Sequence, residues 1–175
     1  MAGSRSLRWL FVAAALTLAS APAFGAEWHR QTVTPDGFSI EFSGDVAVKP
    51  TQLDADVQDA IVRSTIYAQS SDSYVFIVAA TLVKGPFNFT AGVDGTMRSY
   101  ACTQADSDVP GTQDDGTQTR TIRAHHCSND WRVACNFFMR GPWFYQVITG
   151  IGPDADPRDA EHFLNSFQML PTASE

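Results

Sequence analysis

Positive charge is scarce in this 175-residue chain: 12 Lys and Arg stand against 19 Asp and Glu, a formal net charge of −7. An acidic surface repels the phosphates of nucleic acid and of anionic membranes, so neither is an expected partner. Cysteine is scarcer still, at three residues. That excludes a fold held mainly by disulfides and the paired Cys-x-x-Cys clusters of zinc ribbons. The longest mostly apolar stretch, Leu7 to Leu18 with Arg8 and Thr17 within it, has 12 residues, short of the roughly 20 that span a bilayer. No Gly-x-Ser-x-Gly elbow, phosphate-cradling glycine loop or His-Glu-x-x-His pair occurs, which removes the chemistries those arrangements support. Internal repeats, heptads and low-complexity tracts are missing as well.

What is present begins with an address. Arg5 and Arg8 flank the start of the apolar run, and "ASAPAFG" follows with small residues. This is the layout of a secretory signal peptide over residues 1–25, with cleavage expected after Gly25 or, as the alternative, after Ala23. No cysteine lies near that point to take a lipid. Losing Arg5 and Arg8 moves the formal charge from −7 to −9. The remaining chain, 26–175, has the length of one globular domain, periplasmic or secreted, with no membrane anchor. At that size a hydrophobic core suffices without metal or disulfide.

Hydropathy patterning predicts the elements. Pro35-Asp36-Gly37 is a turn, after which Phe38, Ile40 and Phe42 alternate with polar residues as a half-buried strand. "AVKPTQLDAD" reads as a loop or edge segment broken by Pro50, and "VQDAIVRSTIYAQ" as a strand. "YVFIVAATLV" is apolar on both faces, so layers are expected above and below its sheet. Phe89, Val93, Met97 and Tyr100 share one face of a helix over 89–101, capped by Asn88 or Thr90. That cap accounts for the Asn-Phe-Thr glycosylation sequon at Asn88. "SDVPGTQDDG" reads as a polar loop. "TQTRTIRAHHC", "WRVACNFFMR" and "WFYQVITGI" form an antiparallel meander jointed at Ser128-Asn129-Asp130 and Gly141-Pro142. A second helix over 157–167 starts from the N-cap Asp156 with Pro157 at its first position and buries Ala160, Phe163, Leu164 and Phe167.

Two of the thiols and two of the four histidines fall within "AHHCSNDWRVACNFF". A hairpin turning at Asn129-Asp130 places Cys127 and Cys135 about 10 Å apart at strand rise, too far to bridge. A loop centred near Asp114 instead brings Cys102 opposite residue 126 or so. Cys102–Cys127 is therefore the expected disulfide, the alternative being three reduced thiols, and closing its loop stabilises by roughly 3.5 kcal/mol in the chain-entropy model. Cys135 alternates with Val133, Phe137 and Met139 and is expected to be a small buried hydrophobe. The competing chemistry is a zinc or copper site using His125 and Cys127, which alternation puts on one strand face. It needs further ligands from elsewhere. His29 and His162 are isolated, and His162 reads as a surface or boundary residue. No cofactor is expected.

The order of these pieces resembles the small secreted bacterial proteins of the PsbP-like (Mog-type) α/β/α sandwich. "GFSIEF" is similar to that family's opening strand, "FYQVITGI" to its Tyr-Gln-Val strand and "DPRDAEHFLNSFQML" to its closing helix. Ser43-Gly44-Asp45 departs from the Phe-Pro-Gly common there. The resemblance spans residues 31–170. It implies an α+β fold, a central antiparallel sheet of five to seven strands with helices packed on it. It also implies a non-catalytic accessory or partner-binding role, with no shared catalytic residues. The expected partner is an envelope protein, and Arg140 with Trp143, beside the Gly141-Pro142 turn, is the expected contact surface, since Trp and Arg anchor interfaces. Two rival readings are an envelope metal-handling protein or enzyme built on His125 and Cys127, and a carrier of a small hydrophobic ligand lined by Trp131, Phe138, Trp143 and Tyr145.

Overall fold

A computed structural model describes residues 27–51, 58–102 and 104–171. The segment read as a signal peptide lies outside the described residues. At the centre, β5 (Tyr74–Val83) runs antiparallel to β9 (Trp143–Ile151). Both are buried over most of their length and sit where both faces of the sheet are covered. Around them a seven-stranded, wholly antiparallel sheet adds β3 (Ala47–Pro50) and β4 (Ile61–Ser70) on one side. On the other it adds β8 (Arg132–Arg140), β7 (Gln118–His125) and β6 (Gln104–Thr112), giving the order β3-β4-β5-β9-β8-β7-β6. The expected meander is β7-β8-β9.

Alternation along β9 divides the core. Tyr145 and Val147 point into one layer with Phe76, Val78 and Ala80, while Phe144 and Ile148 point into the other with Ile122, Val133, Cys135 and Phe137. Helix α1 (Phe89–Ser99) covers the second layer with Phe89 and Val93. The Asn88 side chain caps it, accepting a hydrogen bond from the Ala91 amide at 3.0 Å, as Asn does at an N-cap. Gly92 interrupts the helix-forming pattern because the Phe87 ring lies where a side chain would start: a Cβ there would meet Phe87 Cζ at 2.6 Å.

Helix α2 (Pro157–Ser166) covers the first layer with Ala160, Phe163 and Leu164. Asp156 caps it by accepting from the Arg158 amide at 2.9 Å. Phe163 lies between Phe76 and Phe42, with ring centroids 4.9 and 5.2 Å away.

Three sequence expectations need correction. The "GFSIEF" strand, read as half-buried, is covered more fully than that and lies outside the central sheet. It is β2 (Phe38–Phe42), the middle of a separate three-stranded sheet with β1 (His29–Val33) and β10 (Gln168–Met169). Phe38, Ile40 and Phe42 turn onto the large sheet, and Ser39 is buried as well, so the strand is more than half covered. Second, the polar segment 107–116, read as a loop, is strand β6 as far as Thr112. It is an edge strand kept open by a bulge between Ala105 and Ser107 and by Pro110. A bulge and a proline are devices that stop an edge from pairing with another chain. Third, both helices stop short of the expected ends. Ala101 adopts φ +49° just after α1, turning the chain toward Cys102, and Phe167 leaves α2 in an extended conformation that starts β10.

Candidate functional site

The thiols are placed by the β6–β7 register. Gln104 pairs with His125, so Cys102 arrives beside Cys127 and the two form the expected disulfide, with a sequence separation of 25 residues. Cys135, opposite Ile122 on β7, is wholly buried and reduced. Desolvation pushes its thiol up to about 12, the opposite of what a reactive thiolate requires.

The histidines do not join them. His126 takes φ +50°, which breaks strand alternation between His125 and Cys127. Cys127 consequently enters the α1-side core, whereas His125, next to Ala124 of that core, faces away. Its Nδ1 pairs with Asp106 on the β6 bulge, and His126 pairs with Asp130 at 2.6 Å. With its sulfur in a disulfide, Cys127 has no thiolate to offer a metal. Among the described residues, no group of three or more His, Cys, Asp or Glu is placed to hold an ion. His29 lies at the exposed start of β1 near Glu27. His162 on α2 is built into a ladder: its Nε2 meets Glu41 at 2.7 Å, Glu41 binds Arg30 at 2.8 Å, and Trp28 stacks over the imidazole at 4.3 Å. The His162 hydrogen bond, with help from Arg30, holds the Glu41 carboxyl below its ordinary range.

Arg140 and Trp143 stand at the β8–β9 turn, both half-buried. The Trp143 indole lies flat against Tyr145, 5.7 Å away with planes 10° apart, and the Arg63 guanidinium sits 5.2 Å over its ring. Arg140 donates to the Leu170 carbonyl beyond β10. Of the other two aromatics of the ligand-carrier reading, Phe138 stands opposite Tyr145 and shares its Phe167 contact, whereas Trp131 is on the other face of the sheet. Phe138 stacks on Phe167 under the small sheet, and Trp131 covers Gly150 on the α1 side. The four do not line one cleft.

Behind this platform is a cluster that the sequence reading missed. Asp36, only 3% exposed, accepts from the Tyr67 hydroxyl at 2.6 Å and pairs with Arg63 at 2.7 Å. Tyr145 donates to the Asp36 carbonyl at 2.8 Å. Gly37, next in sequence, has φ +69°, and a Cβ there would meet the Tyr145 hydroxyl at 3.0 Å. Burial, followed by the hydrogen bond to Asp36, pushes the Tyr67 phenol up; burial takes Tyr145 up to about 12. Each carboxylate oxygen of Asp36 has a partner and the side chain is 4% exposed, so the group clamps the small sheet to the large one. The one available signal was Arg63 and Tyr67, four apart on one strand face. Their partner comes from a turn about 30 residues earlier, which no local pattern reveals.

No family model matches the sequence, and no curated protein matches it. The fold, however, is similar to the solution structure of cyanobacterial PsbP (CyanoP) from Synechocystis sp. PCC 6803. The TM-score is 0.52, and the match covers 87% of this chain and 99% of that one at 11% identity. The fold is PsbP-like. At 11% identity the likeness is carried by the order and packing of elements, and it extends over essentially the whole of the solved neighbour.

Proposed function

We propose that this chain is an exported, non-catalytic accessory domain that binds an envelope protein through the β8–β9 end of its sheet, centred on Arg140 and Trp143. The observation that carries the reading is the PsbP-like architecture over nearly the full length of its neighbour. Fold alone does not fix function, so the surface is chosen on chemistry. A flat indole held from below by Tyr145 and flanked by Arg63 has already lost most of its rotamer freedom, which lowers the entropy cost of using it as an anchor. The Cys102–Cys127 disulfide is in keeping with an oxidising compartment, and residues 1–25 have the layout of its export signal.

The test is capture of envelope proteins on immobilised 26–175, compared with Trp143→Ala and with Val48→Ala, a change at an exposed residue on the edge strand β3. Loss of an anchor of this type weakens binding by about tenfold or more, so one partner should be depleted by Trp143→Ala and retained by Val48→Ala, with both variants melting cooperatively. Equal capture by both variants, or no saturable partner at all, refutes the assignment.

A further inference from the structure

A second site lies away from that platform, on the α2 side of the sheet. There the β7–β8 and β8–β9 registers line up Arg123, Ala134 and Thr149 in one row, and Arg132 with Ile151 in the next. Ala134 is the reason for a gap: a small residue stands between two larger neighbours, and α2 crosses above it with Ala160 and Leu164. The result is a cleft of about 170 Å³ with an apolar floor of Ala134, Ile151, Ala160 and Leu164. Arg123 and Arg132 line it, with Asp106 and Glu161 also on the wall.

The two cations and two carboxylates of the lining balance in number but are not paired with one another. Among the described residues neither Arg123 nor Arg132 forms an ion pair. Arg123 spends only Nη1, on the Ile122 and Cys135 carbonyls and Asn136 Oδ1 at 3.1–3.3 Å. Arg132 spends only Nη2, on the Ala155 carbonyl at 3.2 Å. These bonds hold Arg123 at three acceptors and tether Arg132 at one, while leaving Nε and one terminal nitrogen of each side chain as donors. Asp106 is turned to His125, so its charge is partly answered outside the cleft. Glu161 is exposed at the mouth.

We propose that this cleft binds a small organic monocarboxylate with a compact apolar body. The acid group meets Arg123 and Arg132, and the body lies on the Ala134–Ile151–Leu164 floor. Guanidinium matches carboxylate by paired, charge-assisted hydrogen bonds, and an apolar floor beside a few polar donors is the usual layout of a small-molecule site. The volume is below the roughly 300–1,000 Å³ of drug-sized pockets, which favours an acid of benzoate size over a nucleotide-sized cofactor. The site does not depend on the partner-binding surface, and either can fail without the other.

The probes are benzoate and its uncharged isostere benzamide, titrated into folded 26–175 and followed by amide chemical shifts at Ala134, Thr149, Ala160 and Leu164. Benzoate should give saturable shifts at these residues and benzamide should bind at least about tenfold more weakly, because only the ion recruits both guanidinium groups. Arg132→Gln should weaken benzoate by a similar factor of about ten, and Glu161→Gln, which removes a like charge at the mouth, should tighten it severalfold. Equal binding of benzoate and benzamide, or absence of saturable shifts at the cleft, overturns the proposal using the unmodified protein alone. So does a Glu161→Gln variant that folds and binds benzoate less well.

Discussion

Asp36 shows how much a single side chain contributes once it is buried with partners. Its carboxylate is shared between Tyr67 and Arg63, and the same residue's carbonyl takes the Tyr145 hydroxyl. Removing one hydrogen bond to a buried charge is expensive, because the remaining acceptor is left without a donor or water. Tyr67→Phe should therefore lower unfolding free energy by about 2 kcal/mol, read as a shift in urea midpoint at unchanged m-value. A change below about 0.5 kcal/mol, the range of an ordinary surface substitution, would show that the cluster is solvated. Sequence reading placed Pro35-Asp36-Gly37 correctly as a turn, but a turn aspartate is normally exposed. Only its distant partners bury it.

At the scale of elements, the helices were legible and the β6 edge of the sheet was not. The α2 N-cap, its proline and its apolar stripe are local features, readable within ten residues, and α2 forms from Pro157 to Ser166. Edge strands carry no comparable signal: β6 is polar, bulged and contains Pro110 because an edge must resist pairing, so its sequence resembles a loop. Arg120 on β7 adds a tie to the β6–β7 ladder by bridging Asp94 on α1 and Asp108 on β6 at 2.8 and 2.7 Å. The Arg120 hydrogen bonds hold the Asp108 carboxyl below its ordinary value. A depressed folded-state pKa stabilises above the unfolded value and is lost as pH falls through the folded one, since the unfolded chain takes up the proton first. Wild type and Arg120→Gln should differ in thermal midpoint above about pH 5 and draw together as the pH falls below the ordinary Asp value of about 3.9. A constant gap across that range would mean that Arg120 acts through packing alone.

Taken whole, the molecule is two apolar layers on one sheet, each locked by a contact remote in sequence. The Cys102–Cys127 disulfide closes the α1 layer, while the Asp36 cluster and Ser166, whose hydroxyl accepts from the Glu41 amide at 3.0 Å, secure the small sheet and α2. Replacing Cys102 and Cys127 by alanine should destabilise by about 2–4 kcal/mol, measured by urea unfolding. Cys135 should resist alkylation in the native state of wild type and variant alike, since it is buried in both. Rapid labelling of Cys135 in the folded wild type would contradict the packed α1 layer.

By itself the sequence determined the elements whose signals are local: the two capped helices, the β7-β8-β9 meander and the apolar central strands. Loop geometry left Cys102–Cys127 or three reduced thiols, and the fold brings the pair together. Tertiary structure alone decided that the opening strand leaves the central sheet, that His125 and Cys127 part company at one left-handed residue, and that Asp36 is buried. It also decided that two arginines from adjacent strands share a cleft. Each of these depends on register and layer packing between segments tens of residues apart, which hydrophobic periodicity does not encode because it reports only which face of an element is covered, never by what.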